Sequence, residues 1–318
     1  MQYDPFSKNL KCKVFDIETT GLYAAHDMII SASFIDPDGT DLQQFFCEDS
    51  SSEDYIVSRI IETISGYDSV ITFNGQSFDL PFVLTRARRY GIADELPLIR
   101  SVDIYRLLKN YWPLASSMPS LRQKAVEEAL GISSSRDDLI GGDECIRLYS
   151  EYVNLGREEA KDLILLHNGD DVRQLAGITR ALSFLPYAQI AFEKGFLIKL
   201  ERTDLFGTST HKLLTGASEL SKGKLSIKAR IEPACIPAAF YEDSFSLQAS
   251  SDGHIRLDIF VQEKEGYTFA DLKALKIPEE ALGSSANTQS GYAVLAKDGE
   301  TDFTTCNELT KTMLERLV

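Results

Sequence analysis

Residues 15–21 read FDIETTG, and they continue an apolar run, KCKVFDI at 11–17, that is rich in strand-forming side chains. Side chains of a β-strand alternate between two faces, so Asp16 and Glu18 project from one face at the end of this predicted strand. Two carboxylates this close repel, and each raises the pKa of the other unless a cation neutralises them. A divalent metal site and a solvent-facing strand end with two acids both agree with the pattern.

The sequence around this strand predicts an α/β fold. Strand patterns at 28–35 and 42–47 follow, separated by the turn signal DPDG at 36–39, and together the three strands predict an antiparallel meander. Helical and strand patterns then alternate. The predicted helices are 54–65, 80–90, 120–130 and 157–182, and the predicted strands are 69–73 and 100–104. This order predicts a mixed sheet with helices packed against it.

A third acid, Asp79, lies at the end of TFNGQSFD, residues 72–79. A predicted strand ends here, Gly75 permits a sharp turn, and Asp79 begins a helix. An aspartate in this position is ordinarily an N-cap, which stabilises a helix by about 1 kcal/mol. Asn74 is equally typical of a turn.

The fourth acid belongs to HNGDD, residues 167–171. His167 and Asp171 are four residues apart and share one face of the predicted helix. Gly169 costs that helix about 1 kcal/mol, which suggests a packing or functional reason for it. The alternatives are a buried histidine that is satisfied by a carbonyl and a solvated helix face for Asp171, a description that fits Asp170 better.

The four carboxylates are more specific together than separately. Oxygen-only donors favour Mg²⁺ or Mn²⁺ over zinc. Four acids can hold two such ions roughly 3.5–4 Å apart, the arrangement used for phosphodiester cleavage. The ions activate the attacking water and stabilise the leaving 3′ oxygen.

These motifs resemble those of the DEDD 3′–5′ exonucleases, which have the ribonuclease H-like fold. Their Asp-x-Glu motif matches residues 16–18, and their motif of an asparagine followed by an aromatic residue and an aspartate matches 74–79. Their third motif is Tyr-x₃-Asp in one subgroup and His-x₄-Asp in the other. Here His167 stands at the x₃ spacing from Asp171, since the x₄ register would end at Val172. This hybrid, with Asn168 after the histidine, and the stretch 139–175 resemble the predicted bacterial ribonuclease H-like exonucleases.

The resemblance covers about residues 10–183 and implies a 3′–5′ exonuclease domain over 1–187 that acts on the 3′ end of DNA or RNA. It implies two Mg²⁺ or Mn²⁺ ions bound by Asp16, Glu18, Asp79 and Asp171. The implied catalytic residues are these four acids and His167, which would orient or deprotonate the attacking water. The implied substrate-binding residues are Thr19, Thr20, Gly21, Leu22, Asn74 and Phe78.

Two other function classes remain open. One is a non-catalytic nucleic-acid-binding module that retains the fold, although the four intact acids oppose it. The other is a Mg²⁺-dependent phosphodiesterase acting on small nucleotides, which the acidic composition favours. Asp103 is more typical of a cap than of a metal ligand. The arginines of the helix after Asp79 are typical of a solvated face and could also approach phosphates; they are Arg86, Arg88 and Arg89.

Composition limits the class of protein. The 318 residues are 43% hydrophobic and 25% charged, as in globular proteins of one or two domains. No apolar run approaches the ~20 residues of a membrane span, and the first residues do not resemble a secretory signal. Five scattered cysteines, Cys235 among them, favour reduced thiols in the cytoplasm over a disulfide framework or a zinc site.

Residues 188–318 are predicted to form a smaller, β-rich domain of unknown role. Strand patterns at 225–231, 245–249, 255–261 and 291–296 precede a helical pattern at 308–317, and SDG at 251–253 predicts a hairpin turn. The net charge of −15 opposes nucleic-acid binding for the chain as a whole. Residues 186–230, however, carry eight basic and four acidic residues. We therefore expect the segment 190–230 to help hold the substrate backbone.

Overall fold

The computed structural model describes residues 10–132, 140–204, 207–234 and 238–318. They belong to two compact units, one that ends at Leu185 and one that runs from Pro186 to Val318. The assignment of 1–187 as an exonuclease domain and of 188–318 as a domain of unknown role stays a prediction. Residue 139 of the resemblance and Cys235 lie outside the described residues.

The first unit is built on a five-stranded mixed sheet with the order β3-β2-β1-β4-β5. β1 pairs antiparallel with β2, and β2 with β3, so the predicted meander is confirmed; β4 and β5 continue the sheet in parallel. The strands are β1 (Cys12–Thr19), β2 (Ile29–Ile35), β3 (Gln43–Phe46), β4 (Ser69–Thr72) and β5 (Arg100–Asp103). The helices are α1 (Glu53–Ser65), α2 (Asp79–Arg89), α3 (Ile104–Tyr111), α4 (Gln123–Leu130), α5 (Gly142–Leu155) and α6 (Glu158–Ala181).

β1 and β2 form the centre of this core. All seven residues of β2 are buried, which is typical of a strand that is covered on both faces. Phe15 of β1 stacks on Phe34 of β2 with ring centroids 4.5 Å apart. The sheet thus holds β1 rigidly in its middle, with the residues of the first motif at the carboxyl end of the strand.

Arg86 corrects one expectation from the sequence. Its side chain is buried and forms an ion pair with the buried Glu53 of α1, and Tyr90 donates a hydrogen bond of 2.6 Å to the same carboxylate. Arg86 also donates to the carbonyl of Ala24 over 3.1 Å. The arginine is therefore neither solvated nor available to phosphates, and it fastens the loop that follows β1 to helix α2.

In its described residues the second unit contains two sheets and two α-helices. The larger sheet has six antiparallel strands in the order β6-β7-β8-β11-β10-β9: β6 (Leu197–Asp204), β7 (Gly207–Ser221), β8 (Lys224–Glu232), β9 (Ala238–Tyr241), β10 (Phe245–Ala249) and β11 (His254–Phe260). The smaller sheet contains β12 (Gln262–Lys264), β13 (Tyr267–Asp271), β14 (Thr288–Gln289), β15 (Tyr292–Lys297) and β16 (Glu300–Thr301). The helices are α7 (Tyr187–Lys194) and α8 (Phe303–Leu317).

One face of the larger sheet is buried and the other is polar. Leu225, Ile227, Ala229 and Ile231 of β8 are buried, and the residues between them, Ser226, Lys228 and Arg230, are polar or charged. Gly253, with φ +85°, occupies the predicted turn between β10 and β11. The β-rich prediction is confirmed, although neither β6 nor the 15-residue β7 was predicted.

Two observations concern the whole of the described chain. No helix in the described ranges is long and apolar enough to cross a membrane. The four described cysteines are buried and are not joined in disulfides with one another: Cys12, Cys47, Cys145 and Cys306. A cytoplasmic location stays a prediction.

Candidate active site

Asp16 and Glu18 lie on one face of the central strand β1, as predicted, and Asp79 reaches the same strand from α2. The backbone N–H of Ile17 donates to Asp79 Oδ1 over 3.2 Å, so Asp79 contacts the backbone between the two acids. The turn before α2 makes this approach possible. Asn74 has φ +66°, and a Cβ at Gly75 would lie 2.3 Å from Thr72 Oγ1. Only glycine fits that position without a shift in β4.

Helix α6 brings the third motif to the same place. His167 Nε2 lies 3.4 Å from Glu18 Oε1 and 3.6 Å from Asp171 Oδ2. Asp16, Glu18 and Asp171 each offer a carboxylate oxygen, and these three atoms lie within 4.8 Å of one another. The sequence motifs, which are up to 155 residues apart (16 to 171), therefore converge on one end of β1.

Asn168 is the residue that ties α6 to β1 and β2. The side chain is fully buried, and its Nδ2 donates to Asp16 Oδ2 over 2.8 Å. Its Oδ1 accepts from Ser33 Oγ at 2.6 Å and from Ser31 Oγ at 3.1 Å. Because both hydroxyls donate to the amide oxygen, the amide NH₂ must face Asp16. Asn168 thus orients the Asp16 carboxylate.

Gly169 has the packing reason that its helical position suggested. Gln44 of β3 donates to the carbonyl of Leu165 over 2.7 Å and to Ser33 Oγ over 2.9 Å. A Cβ at Gly169 would lie 3.3 Å from Gln44 Nε2, which is tighter than an ordinary contact. The glycine lets Gln44 join α6 to the polar network around Asn168.

Burial and mutual repulsion raise the pKa values of these acids. Burial raises the pKa of Asp16 well above its usual range, and the charges of Asp79, Asp171 and Glu18 raise it further. The hydrogen bond from Asn168 acts in the opposite direction. Asp16 therefore carries its negative charge at a cost in free energy that a nearby cation would relieve.

Glu18 and Asp79 show the same effect. Burial is the main cause that raises the pKa of Glu18 to about 7, with further contributions from Asp171 and Asp79, against the lowering by His167. Burial likewise raises the pKa of Asp79 to about 7, although its hydrogen bond from Ile17 lowers it. Near neutral pH both groups are poised between the acid and the anion.

These donors fit Mg²⁺ or Mn²⁺. Asp16, Glu18 and Asp171 supply hard oxygen atoms at a spacing that one cation can bridge, and Asp79 adds a fourth carboxylate at the same strand. The buried carboxylates repel one another without a positive charge between them. The arrangement therefore favours a divalent-metal centre over two ordinary strand-end acids.

The loop after Glu18 contains the predicted contacts for the terminal nucleotide. Thr19 Oγ1 donates to the Gly21 carbonyl over 2.7 Å, and Thr20 Oγ1 accepts from the backbone N–H of Met28 over 2.9 Å. Leu22 and its neighbour Tyr23 are 75% and 73% exposed. Both threonines thus stabilise the loop, while Leu22 and Tyr23 present exposed apolar surface four and five residues after Glu18.

The other predicted residues have mainly structural contacts. Asn74 donates its backbone N–H to Asp103 Oδ1 over 3.0 Å, and Asp103 also caps α3. Phe78 is half-buried and packs on Phe82 with ring centroids 5.5 Å apart. A role for Asn74 and Phe78 in substrate binding stays a prediction. Asp170 is buried beside Arg173, at 3.0 Å, so the solvated face expected for it is wrong.

Cys145 was not anticipated at the site. Its Sγ lies within 4.8 Å of ligand atoms of Glu18 and His167, and its hydrogen bond lowers the pKa of Glu18. Helix α5 was not predicted, and no motif marks Cys145, so only the structure reveals this contact. Asn168 was visible as part of the third motif, but its bond to Asp16 was not.

A mixed sheet of this order, with acids from its central strand and two helices in one cluster, defines the class of ribonuclease H-like proteins. The sequence model of the RNase_H superfamily matches residues 14–183, more than half of the chain, and the chain belongs to this superfamily. The ribonuclease H-like prediction is thereby confirmed. Membership supports a nuclease function at the level of the superfamily.

Similar proteins cover parts of the chain. A DNA polymerase of Methanocaldococcus jannaschii is 34% identical over 93 residues, 26% of this chain and 6% of the polymerase. A DNA polymerase of Pyrococcus glycovorans is 36% identical over 104 residues, 29% of this chain and 13% of the polymerase. The solved structure of E. coli exonuclease I with a dT13 oligonucleotide has a TM-score of 0.37 and 13% identity, over 68% of this chain and 54% of that one.

Divalent metal is expected to stabilise the protein, and more strongly at about pH 8 than at about pH 6. A raised carboxyl pKa means that the folded state keeps a proton that the unfolded state has lost, so metal-free stability falls as pH rises through about 7. The metal displaces these protons, so it binds better at the higher pH. Melting curves in EDTA and in millimolar Mn²⁺ measure the effect.

The matched variants for this experiment are Asp16→Asn and Asp162→Asn. Asp16→Asn removes a proposed ligand charge and should lose the Mn²⁺ shift. Asp162 is exposed on α6, away from the acids, so Mn²⁺ should raise the melting temperature of Asp162→Asn as much as that of the wild type. A wild type that melts at the same temperature with and without Mn²⁺ at both pH values would contradict the metal centre.

Asn168→Ala is expected to destabilise the fold. The substitution removes the partner of Asp16, Ser31 and Ser33 in a fully buried place. Leaving such groups unsatisfied costs about 1–3 kcal/mol, which urea unfolding measures. A matched control should not remove a buried hydrogen bond. Thr305→Ala in the other unit fails this condition, because Thr305 Oγ1 accepts a hydrogen bond from the backbone N–H of Asn287. The control is therefore Asn154→Ala at an exposed position of α5. Equal stability of Asn168→Ala and wild type would show that the network contributes nothing.

Proposed function

We propose that the protein is a metal-dependent nuclease that hydrolyses phosphodiester bonds from the 3′ end of nucleic acid. The observation that carries the proposal is the convergence of Asp16, Glu18 and Asp171, with His167 between two of them. The buried, mutually repelling carboxylates support the use of divalent ions. The 3′ direction follows from the resemblance of the three motifs to those of DEDD exonucleases.

In this proposal the chain supplies positioning and charge. Asp16, Glu18, Asp79 and Asp171 would hold two Mg²⁺ or Mn²⁺ ions, which activate water and stabilise the leaving oxygen when bound. Asn168 orients the carboxylate of Asp16 through its bond of 2.8 Å. His167, whose Nε2 lies near both Glu18 and Asp171, would orient a water molecule at the cluster or accept a proton from it.

The exposed loop would receive the end of the substrate. Leu22 and Tyr23 stand on a loop held by the bonds from Arg86 to Ala24 and from Arg89 to Ala25. An apolar side chain on a fixed loop can stack on the flat face of a terminal base, and every nucleotide base has such a face. The chain would thus bind its substrate by shape and stacking rather than by base identity.

End-labelled oligonucleotides test the proposal. DNA and RNA strands with a 5′ label, incubated with Mg²⁺ or Mn²⁺, should shorten progressively from the 3′ end on a gel. A strand whose 3′ terminal linkage is a phosphorothioate should resist. Cleavage of a mononucleotide ester without cleavage of oligonucleotides would instead select a small-nucleotide phosphodiesterase, the alternative that the net charge of −15 favours. Binding without any cleavage would select a non-catalytic module.

A further inference from the structure

The polar face of the larger sheet in the second unit carries a concentration of basic side chains. Strand register places Lys212 of β7 between Lys199 of β6 and Glu232 of β8. It places Lys228 of β8 opposite Arg256 of β11. Directly paired residues of antiparallel strands project from the same face of a sheet. The basic sheet face consists of Lys199, Lys212, Lys224, Lys228, Arg230 and Arg256.

The pairing of these residues is unfavourable by itself. Like charges directly opposite one another destabilise a sheet, and here Lys199 faces Lys212 and Lys228 faces Arg256. Acids on the same face, Glu201, Glu219, Glu232 and Asp258, compensate only partly for the six basic side chains, and Glu232 pairs with Arg230 at 3.1 Å. Asp258 serves two cations, Arg256 at 3.2 Å and Lys224 at 3.6 Å. Across the part of the chain that the structure describes, no carboxylate forms an ion pair with the exposed Lys228. An external anion would relieve this repulsion.

Two exposed aromatic rings share this face. Tyr241 of β9 pairs with Ser246 of β10, which pairs with Asp258 of β11, so Tyr241 projects from the face that carries Asp258. Phe260 is two residues beyond Asp258 on β11 and projects in the same direction. Their side chains are 68% and 41% exposed. Rings beside cations are the components that bind bases and phosphates of single strands.

We propose that the basic sheet face binds a single strand of nucleic acid, with its lysines and arginines on the phosphates and with Tyr241 and Phe260 under the bases. The inference rests on the proposed nuclease function, since that function makes nucleic acid the substrate. It extends the basic segment expected at 190–230 to include Arg256 and the two rings. Exposed aromatic surface favours unpaired bases over a duplex, whose bases are already stacked.

Binding of fluorescent single-stranded DNA and RNA of roughly 20 nucleotides tests the proposal. Anisotropy is measured with the full chain in EDTA, so that no cleavage occurs, over a range of salt concentrations. The charge-reversal variant is Lys228→Glu with Arg256→Glu. The matched control, Lys264→Glu with Lys273→Glu, makes the same charge change at exposed positions of the same unit outside the basic sheet face.

The charge-reversal variant should bind at least about tenfold more weakly than the control. Each lost phosphate contact on a single strand lowers the slope of log affinity against log salt by about 0.7, so two contacts flatten it by about 1.4. Tyr241→Ala with Phe260→Ala should weaken binding about fivefold or more without changing that slope, because stacking releases no counterions. Equal affinity and slope for the charge-reversal variant and the control would overturn the proposal, and so would equal affinity of the wild type for duplex and single strand.

The result is separable from the test of the nuclease. If the wild type shortens oligonucleotides while charge reversal and control bind alike, the nuclease stands and the basic sheet face does not. If only the charge-reversal variant binds more weakly and neither Mg²⁺ nor Mn²⁺ supports cleavage, the binding role of the basic sheet face is supported and the proposed nuclease function is contradicted.

Discussion

Replacement of Asp171 by asparagine is expected to abolish cleavage while leaving the fold intact. The side chain keeps its shape, and the bond of 2.9 Å from Gln123 goes to the backbone carbonyl of residue 171, which the substitution does not alter. The lost carboxylate removes one of three oxygens that lie within 4.8 Å of one another. Residues that act as a unit have large, non-additive effects, so the cleavage rate should fall by at least about 10³-fold.

The stability of the same variant should move in the opposite direction. Asp171 raises the pKa of Asp16 and of Glu18 by repulsion, so its removal relieves the metal-free protein. Asp171→Asn should melt at or above the wild-type temperature in EDTA. Asp162→Asn on the same helix should retain both the wild-type rate and the wild-type melting temperature. A rate for Asp171→Asn within tenfold of the wild type would exclude Asp171 from the catalytic unit.

The sequence predicts the site to the extent that the site is made from local patterns. Alternation along β1 placed Asp16 and Glu18 on one face, and the helical period placed His167 and Asp171 on one face; the structure has both. The three-strand meander followed by α/β units was enough to predict a mixed sheet with helices packed against it, whereas the strand order came from the structure. These features depend on a strand or helix alone, or on neighbours along the chain.

Contacts between distant elements were not predictable in the same way. The hydrogen bond from Asn168 to Asp16 joins residues 152 positions apart. Cys145 lies near Glu18 on helix α5, which no clear helical period in the sequence predicted. From the sequence, Arg86 is expected on a solvated face. Its buried partner, Glu53, lies 33 positions away along the chain, so no local pattern shows that the two form an ion pair. The basic sheet face required strand register, since β7 has a bulge between Thr215 and Ser218 that no sequence pattern located.

Removal of the His167 side chain is expected to cause the second large loss of activity. The imidazole is only 4% exposed, and its Nε2 lies 3.4 Å and 3.6 Å from oxygens of Glu18 and Asp171. His167→Ala therefore removes a neighbour from two proposed ligands and, in the proposed mechanism, a hydrogen-bonding group from the attacking water. The loss of a general base or of an equivalent positioning group costs about 10²–10⁴-fold in rate.

Two further measurements separate positioning from proton transfer at His167. A nitrogen that contacts two proposed ligands favours positioning, and the x₃ spacing is that of the tyrosine subgroup, so His167→Tyr should restore the rate to within about tenfold of the wild type. A base would behave differently: His167→Tyr would stay inactive, because a phenol with an ordinary pKa of about 10 does not accept a proton at neutral pH, and free imidazole would restore part of the rate of His167→Ala. A His167→Ala protein that cleaves at the wild-type rate would show that the histidine only packs, which would leave catalysis to the four acids.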